Sequence, residues 1–489
     1  MMLEQAVALK EQLTEFALDA EGDIAVALET YSLAQMSRGK QQNLGQQQVT
    51  IDRFLLECQI QNRPLIDWFQ QEISDLTESD RQLLQLWSDR PSPSNSPCNI
   101  VGLFSIQTLE GDHMEVMNWL TAKHYLVQLT DAQRIKAEAR LKPGEILLSQ
   151  IVPLPDRTWM FWSEWVMLGK LGKPKLAVAI GNFKDTYPDH LYSDAPDLLA
   201  EAWRSVEHYH QAFIDFFGSD EITLPGWQLD KQLTDFQTFM TERLTTQSLQ
   251  AAGLDPHQSL TELAEASGVD TEELAAAAAE MGAELGIDMN PDTAPEMAPE
   301  MAPAMSAELG SDAAGLKVES AIAQAVPKMM LPSLALKPQF KKAPQLTAIS
   351  HPQWGQSLLT AYHLLQDFFA HPHTADSAPI EKLLLQYLED PEIHVDLWHR
   401  LAQQHPVPLE ALLQTVTDNP QFRLQDLDAL LQSFGKPLTP QLPETASVPL
   451  HLHELFQEAV IELNAGSAKS KSKSNKGKGQ KVSTGFQRS

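Results

Sequence analysis

The residues with the plainest chemical potential are the cations of the last 24 residues, 466–489. This segment has no Asp or Glu and almost no apolar residue, and its basic side chains are Lys469, Lys471, Lys473, Lys476, Lys478, Lys481 and Arg488. Seven cations can neutralise several phosphates, which predicts salt-sensitive contact with RNA or a ribosome, without base specificity. The alternatives are an anionic membrane, a solubilising terminus, and an arm that lies on the chain's own acidic body.

A second set of residues could stack on bases. Trp159, Phe161 and Trp165 share one face of a predicted strand, and Trp162 lies on the other face. Small barrels use aromatic faces edged by cations, such as Arg157 here, to bind single-stranded nucleic acid. Filling a barrel core is the simpler use of these side chains, and it is the interpretation that we favour.

A third set lies in an apolar segment without acids, residues 326–346. Its large apolar side chains include Met329, Met330, Leu331, Leu334 and Leu336. Met adapts to irregular surfaces, so the segment is typical of a peptide that orders in a partner's groove. It is equally typical of a segment that docks on its own domain, and a plain linker is the third alternative.

Other patterns fall short of a catalytic or metal-binding motif. The run at 168–175 lacks the glycine spacing of a phosphate-binding loop, and 260–281 has a helix-turn-helix rhythm without Lys or Arg. The 15 His residues show no i, i+4 pair, and no G-x-S-x-G elbow occurs. The sequence therefore nominates no catalytic residue, no metal ligand and no cofactor, and it indicates no small-molecule substrate.

Charge and composition bound the class of protein. The 489 residues include 36 basic and 65 acidic ones, a net charge of −29, and without the tail the body carries 29 basic residues against 65 acidic ones. Such a field repels nucleic acid and argues against an anionic membrane as a partner. Two Cys residues and an acidic N-terminus without a signal-peptide pattern predict a cytoplasmic protein.

Hydrophobic periodicity predicts an α+β chain. Residues 1–90 repeat apolar positions at helical spacing, and six strands are expected between 99 and 183, the last at 175–183, which predicts a small barrel. A long covering helix follows, with Asp194 as its N-cap and Gly218 as its stop. Eight prolines from Pro291 to Pro344 predict a disordered linker.

The resulting organisation has six parts. We expect an N-terminal helical region at 1–90, a small β domain at 99–184, a helical extension at 185–285, a disordered linker at 286–350, an all-α C-terminal domain at 351–463 and a disordered basic tail at 464–489.

Part of the chain resembles a cyanobacterial protein family of uncharacterised function. The resemblance covers about residues 1–240 and rests on the runs NWLTAKHY, LKPGEILLSQIVPL, LGKLGKPKLAVAIGNF and LYSDAPDLLAEAWRSVEHYH. The strands around 142–154 also resemble, more distantly, a small β-domain that accompanies cysteine-rich metal-binding motifs in bacterial proteins. Those cysteines do not occur here, so no metal role carries over. The resemblance implies a bacterial cytosolic protein and supplies no activity.

These observations favour a non-enzymatic adaptor, with two folded modules on a flexible tether that bridge unidentified protein partners. The alternative is an RNA- or ribosome-associated protein that uses the basic tail. An enzyme of unknown reaction in the β domain is the third hypothesis.

Overall fold

The computed structural model describes residues 2–38, 44–88, 99–251, 329–330, 336–371 and 377–462. The described residues divide into two compact units, one from the ranges 1–199 and 451–462 and the other from the range 200–450. Helices and strands both contribute, so the chain is a mixed α+β protein, as expected. Among the described helices, none has the length and apolar character needed to span a membrane.

The first unit opens with the helices that the periodicity predicts. Their bounds are Met2–Asp19 (α1), Asp23–Arg38 (α2), Leu44–Glu57 (α3), Leu65–Glu72 (α4) and Glu78–Ser88 (α5), with a short hairpin of Gln59–Ile60 (β1) and Arg63–Pro64 (β2) before α4. Buried apolar side chains such as Leu13 and Phe54 join these helices in one core. Trp162 from the following strands packs into the same core, which seats the helices on the sheet.

Six strands of the first unit form a sheet that closes on itself. Their bounds are Ile100–Glu110 (β3), His113–Asn118 (β4), His124–Gln128 (β5), Ile146–Pro153 (β6), Trp159–Phe161 (β7) and Val166–Gly169 (β8). The pairing order β3-β4-β5-β7-β6 returns to β3, so five strands make a closed barrel, and β8 is added beside β6. β5 and β7 run parallel, and helix α6 (Asp131–Arg140) connects β5 to β6. This strand order is that of a Greek-key barrel of the OB type.

The long strand β3 makes the closure possible. It pairs with β6 through residues 100–105 and with β4 through 104–110, and its register shifts between Ile106 and Thr108. A shift of this kind bends a strand and increases its twist, so β3 can serve both sides of the barrel. The interior is filled by buried side chains such as Phe104, Met114 and Val127.

The prediction of a sixth strand is wrong, because residues 175–183 lie in helix α7 (Lys173–Thr186). Pro174 suits the first turn of a helix, where its missing N–H costs nothing. Leu176, Ile180 and Phe183 recur at i, i+4 and i+7 and are buried on one face, whereas Val178 is 63 % exposed. The short apolar run fits either period, and packing against the rest of the unit selects the helix.

The second unit contains a sheet that the sequence did not predict. The helices and strands of this unit are α8 (Pro196–Phe217), which begins in the first unit, β9 (Glu221–Leu224), α9 (Gly226–Ala251), β10 (Met329–Met330), α10 (Pro338–Lys341), β11 (Leu346–His351), β12 (Gly355–Thr360), α11 (Tyr362–Ala370), α12 (Ala378–Glu389), α13 (Val395–Gln404), α14 (Pro406–Val416), α15 (Leu427–Ser433) and β13 (Val448–Pro449). Three strands pair in the antiparallel order β12-β11-β9, and β10 pairs with β13. The long helix α8 and its stop at Gly218 are as predicted.

The β9–β11 pairing corrects the predicted domain boundaries. Phe213 and Phe236 share a buried core with Leu336 and Leu346, both of which lie inside the predicted linker. The predicted linker therefore does not separate two modules. Its described parts are 329–330, which form β10, and 336–350, which contain α10 and most of β11; the rest lies outside the described residues. The segment 351–463 is likewise not all-helical, since it contains β12 and its last helix, 450–462 (α16), belongs to the first unit from residue 451 onward.

Candidate interaction surface on the barrel

An open groove of about 420 Å³ crosses the outer face of β3, β4 and β5. Thr108, Glu110, His113, Glu115 and Leu126 line it. Along β4 and β5 the lining residues alternate with buried ones. Glu115 pairs with Thr108 on one neighbouring strand and with Leu126 on the other. Leu126 is 46 % exposed, so an apolar side chain lies beside the carboxylate. We call these five residues the barrel groove.

The barrel groove and the turn beside it are acidic. Glu110, Glu115 and Asp112 carry negative charge. Glu115 and Asp112 each accept a hydrogen bond from a histidine: His124 Nδ1 lies 3.1 Å from Glu115 Oε1, and His113 Nδ1 lies 2.7 Å from Asp112 Oδ1. The hydrogen bond from His113 lowers the pKa of Asp112, which keeps this exposed carboxylate charged. The arrangement therefore attracts a cationic segment and repels a phosphate backbone.

A buried carboxylate fixes the hairpin that carries the groove. Oδ2 of Asp194 accepts hydrogen bonds from Asn118 Nδ2 at 3.1 Å, Thr121 Oγ1 at 2.8 Å and the Tyr125 hydroxyl at 2.5 Å. Burial and the charge of Asp194 raise the pKa of Tyr125, so its hydroxyl keeps the proton that it donates. Lys123 Nζ donates to the Asp194 backbone oxygen at 2.5 Å. The predicted N-cap role is wrong, since Oδ2 serves the hairpin and Oδ1 is buried without a hydrogen bond.

Helix α16 lies against the same hairpin. His451 Nε2 is 2.9 Å from the Trp119 backbone oxygen, directly after β4, and Glu458 pairs with Lys173 of α7 at 2.5 Å. Residues 463–489 continue from this helix, so the basic tail begins on the unit that bears the barrel groove. All seven tail cations lie outside the described residues.

The aromatic residues singled out in the sequence fill cores. Phe161 and Trp165 are buried in the barrel, with ring centroids 4.9 Å apart, and the partly buried Trp159 packs against the same cluster. Trp162 is buried among the N-terminal helices, where its Nε1 donates to the backbone oxygen of Asp52 at 2.7 Å. These positions agree with the core interpretation favoured from the sequence. They leave Phe161 and Trp165 inaccessible to a base.

The apolar segment of the predicted linker is docked in part on its own unit. Met329 and Met330 form β10 against β13, and Met330 and Leu336 are 7 % and 6 % exposed. Of the three alternatives considered from the sequence, docking on its own domain describes these residues. Leu331 and Leu334 lie outside the described residues.

A second titratable cluster in the first unit is saturated with partners. Glu57 accepts from Arg53 Nε and Nη2, both at 2.9 Å, and from the Tyr31 hydroxyl at 2.8 Å, and His190 Nε2 lies 3.0 Å away. Burial alone would raise the pKa of Glu57, but hydrogen bonds from His190 and Arg53 outweigh it and lower the pKa to about 2. With its oxygens occupied by these donors, Glu57 ties α2, α3 and residue 190 together.

The second unit brings a serine and a histidine together. His210 Nδ1 lies 3.1 Å from Ser350 Oγ, the pairing of base and hydroxyl that nucleophilic catalysis uses. Ser350 is only 2 % exposed, however, and burial lowers the pKa of His210. Arg400 bonds to Asp220 at 2.8 Å and to Glu221 at 3.0 Å beside the same sheet. Neither Ser350 nor His210 lines the barrel groove or the second groove described below.

Two further groups in the second unit have perturbed pKa values. Burial raises the pKa of Asp396 to about 6 and lowers that of Lys436 to about 8. Lys436 Nζ donates to the backbone oxygens of Asp390 at 2.8 Å and Ile393 at 2.7 Å, and so fixes the connection between α12 and α13. Groups with strongly shifted pKa values indicate a functional site when they face a cleft. Neither Asp396 nor Lys436 lines the barrel groove or the groove described next.

A second open groove lies on the second unit, between α13 and α15. It is lined by His399, Ala402, Gln403, Leu424, Gln425, Leu427 and Asp428. His399 Nε2 is 2.7 Å from Asp428 Oδ1, so this groove also combines a histidine–carboxylate pair with apolar side chains. Each unit therefore presents a shallow surface of its own.

Within the described ranges, no three or more His, Cys, Asp or Glu side chains are placed to hold a metal ion. The chain matches no protein-family model, and no curated protein or solved structure is significantly similar to it. The resemblance noted in the sequence thus stays an expectation. The barrel groove was missed from the sequence because its residues come from three strands, although the alternation of polar and apolar residues along 113–118 and 124–128 was a usable signal.

Proposed function

We propose that this protein is a non-enzymatic interaction protein, an adaptor whose barrel groove binds a cationic segment of a protein partner. The observation that carries the proposal is the acidic outer face of β3, β4 and β5. In barrels of the OB type, this face and the adjoining loops are where ligands bind. Here the face carries Glu110, Glu115 and the neighbouring Asp112, so its complement is a Lys- or Arg-bearing segment.

An adaptor also needs a second contact surface. The groove beside His399 and Asp428 on the second unit supplies a candidate of similar chemistry, with carboxylate and apolar side chains side by side. Two grooves on two units suit the bridging of two partners, or of two segments of one partner. The proline-rich stretch does not act as a tether between the two grooves, since both units contain chain from either side of it.

RNA association remains the second candidate function. The tail of seven cations and the OB-type strand order both favour it. The charge on the barrel groove opposes it, because the surface that would hold the bases carries carboxylates in place of cations. In this alternative the tail supplies the affinity by itself.

An affinity capture from cell lysate tests the adaptor proposal. The baits are the full chain, a chain ending at Ala465, a groove variant with Glu110→Lys and Glu115→Lys, and a control with Glu72→Lys and Glu78→Lys on exposed positions of α4 and α5. We expect protein partners that survive nuclease, persist with the control and disappear with the groove variant. Capture that is unchanged by the groove variant contradicts the proposal. Capture that nuclease and truncation both remove favours the RNA alternative instead.

A further inference from the structure

We propose that the barrel groove binds the chain's own basic tail, 466–489, so that a partner must displace the tail to dock. This inference rests on the proposed function of the groove and adds its regulation. The occupant is a named segment of this chain, and the argument rests on where the tail begins, how far it reaches and how its charge compares with that of the groove.

The tail continues from a helix that contacts the hairpin of the groove. Helix α16 holds the β4–β5 hairpin through His451 and the Trp119 backbone oxygen, 2.9 Å apart, and residue 462 ends the described part of that helix. Eleven helical residues rise about 17 Å from 451 to 462. Four strand residues rise about 14 Å from Trp119 to Glu115. With the side chains included, the path from residue 462 to the groove is on the order of 40 Å.

The tail is long enough to cover this path. An extended chain spans at most about 3.4 Å per residue, so Lys476 can lie up to roughly 48 Å from residue 462 and Lys481 up to roughly 65 Å. The cations from Lys476 to Arg488 are therefore within reach of the groove. The path from residue 462 through His451 and Trp119 to Glu115 involves residues of the first unit only.

Charge selects the groove as the place of contact. Glu110 and Glu115 line the groove, and Asp112 lies in the adjoining turn. Arg134, which also acts on Asp112, is shared with Asp131 and Glu138 at 3.1 and 3.5 Å. The tail carries seven positive charges and no negative one. A segment attached to the same unit also has a high effective concentration at the groove, which favours it over a free partner of equal affinity.

The test uses a fluorescent synthetic peptide of residues 466–489 and measures its binding by anisotropy at low salt. A chain ending at Ala465 keeps every described residue, so it offers the groove without the attached tail. We expect the peptide to bind this chain and to bind the full chain at least about tenfold more weakly, because the attached tail competes. Binding should decline steeply toward 1 M salt, where the screening length falls to about 3 Å.

Neutral variants locate the site. The triple variant Glu110→Gln, Asp112→Asn, Glu115→Gln removes three charges from the groove and its turn. The matched control Glu72→Gln, Asp75→Asn, Glu78→Gln removes three exposed charges from α4, α5 and their connection. We expect the groove variant to weaken peptide binding about tenfold and the control to leave it within about twofold. Circular dichroism verifies that both variants fold.

Three outcomes would overturn the inference. They are no binding of the peptide to the chain ending at Ala465, equal weakening by the two triple variants, and equal binding to the full and shortened chains. These results are separable from a failure of the proposed function. If the groove variant loses its partner and the peptide does not bind, only the tail inference fails. If the peptide binds and the groove variant captures the partner as the wild type does, only the adaptor proposal fails.

Discussion

At the scale of single residues, the polar side chains that matter most are those whose partners come from distant parts of the chain. Asp194 gathers three donors from the β4–β5 hairpin, and Glu57 gathers Arg53, Tyr31 and His190. Both carboxylates are stabilised by hydrogen bonds from groups that would be costly to bury alone. Both act as anchors of the first unit, and Asp194 holds the hairpin on which the proposed binding depends.

The Glu57 cluster makes stability depend on pH. Its folded pKa of about 2 lies below the ordinary value of 4.5, so the cluster stabilises the fold by about 3 kcal/mol at neutral pH. Because the folded pKa is lowered, this contribution is fully present above about pH 4.5 and is lost as pH falls toward about 2. Glu57→Gln should therefore lower the free energy of unfolding at pH 7 and flatten its decline between pH 5 and pH 3. Urea denaturation at these pH values measures both effects.

Glu78→Gln is the control for this prediction. Glu78 is an exposed carboxylate whose ion pair with Arg81, 3.8 Å long, lies on the surface of α5. Surface pairs of this kind contribute little, so the variant should follow the wild-type pH profile within about 0.5 kcal/mol. Identical pH slopes for Glu57→Gln and the wild type would show that the cluster does not have the lowered pKa.

At the scale of elements, local pattern and tertiary packing agree for most helices and for five strands, and they disagree where a short apolar run fits two periods. Residues 175–183 read as a strand and form part of α7. Residues 346–351 and 355–360 read as linker and helix and form β11 and β12. In the second case the strand partner is β9, more than a hundred residues away in the chain. A pattern confined to one window contains no information about such a partner.

The junction between α9 and α10 gives a prediction at this scale. A Cβ at Gly226 would lie 1.9 Å from the backbone oxygen of Phe340, and the Gly226 N–H donates to the Ala343 oxygen at 2.9 Å. Gly226→Ala must push α10 away from the start of α9, which we expect to cost roughly 1–3 kcal/mol. The urea midpoint of the full chain measures this loss.

Gly181→Ala is the matched control, because a Cβ at this exposed position of α7 would meet nothing within 4 Å. Replacing a helical glycine by alanine should stabilise the chain by about 0.5–1 kcal/mol. The same substitution is thus expected to have opposite signs at the two sites. A Gly226→Ala variant as stable as the wild type would contradict the close approach of Phe340.

At the scale of the whole molecule, chain order and spatial order differ. The first unit takes α16 from the C-terminal end, and the second unit takes strands from both sides of the proline-rich stretch. Composition alone placed a boundary at that stretch. The shared core of Phe213, Phe236, Leu336 and Leu346 shows that the stretch interrupts a unit.

Cleavage of the stretch tests this organisation. We expect that a specific protease site inserted between Met301 and Ala302 yields two fragments that still co-elute in size-exclusion chromatography, because β9 and β11 pair across the cut. The same site placed between Ala465 and Gly466 is the control, and its short fragment should separate at 1 M salt. Fragments that part in native buffer after the first cut would restore the picture of two modules joined by a tether.

The sequence by itself determined the local properties of this protein. It predicted the N-terminal helices, five barrel strands, the length and stop of α8, the acidity of the body and the cationic tail. These features follow from periodicity, turn residues and charge, which depend only on residues close together in the sequence. Tertiary structure decided what depends on contacts between distant residues: the closure of the barrel, the β9–β11 pairing, the burial of Phe161 and Trp165, and the assembly of Glu110, Glu115 and Leu126 in one groove. These features arise because strand pairing and packing join residues that no local pattern connects.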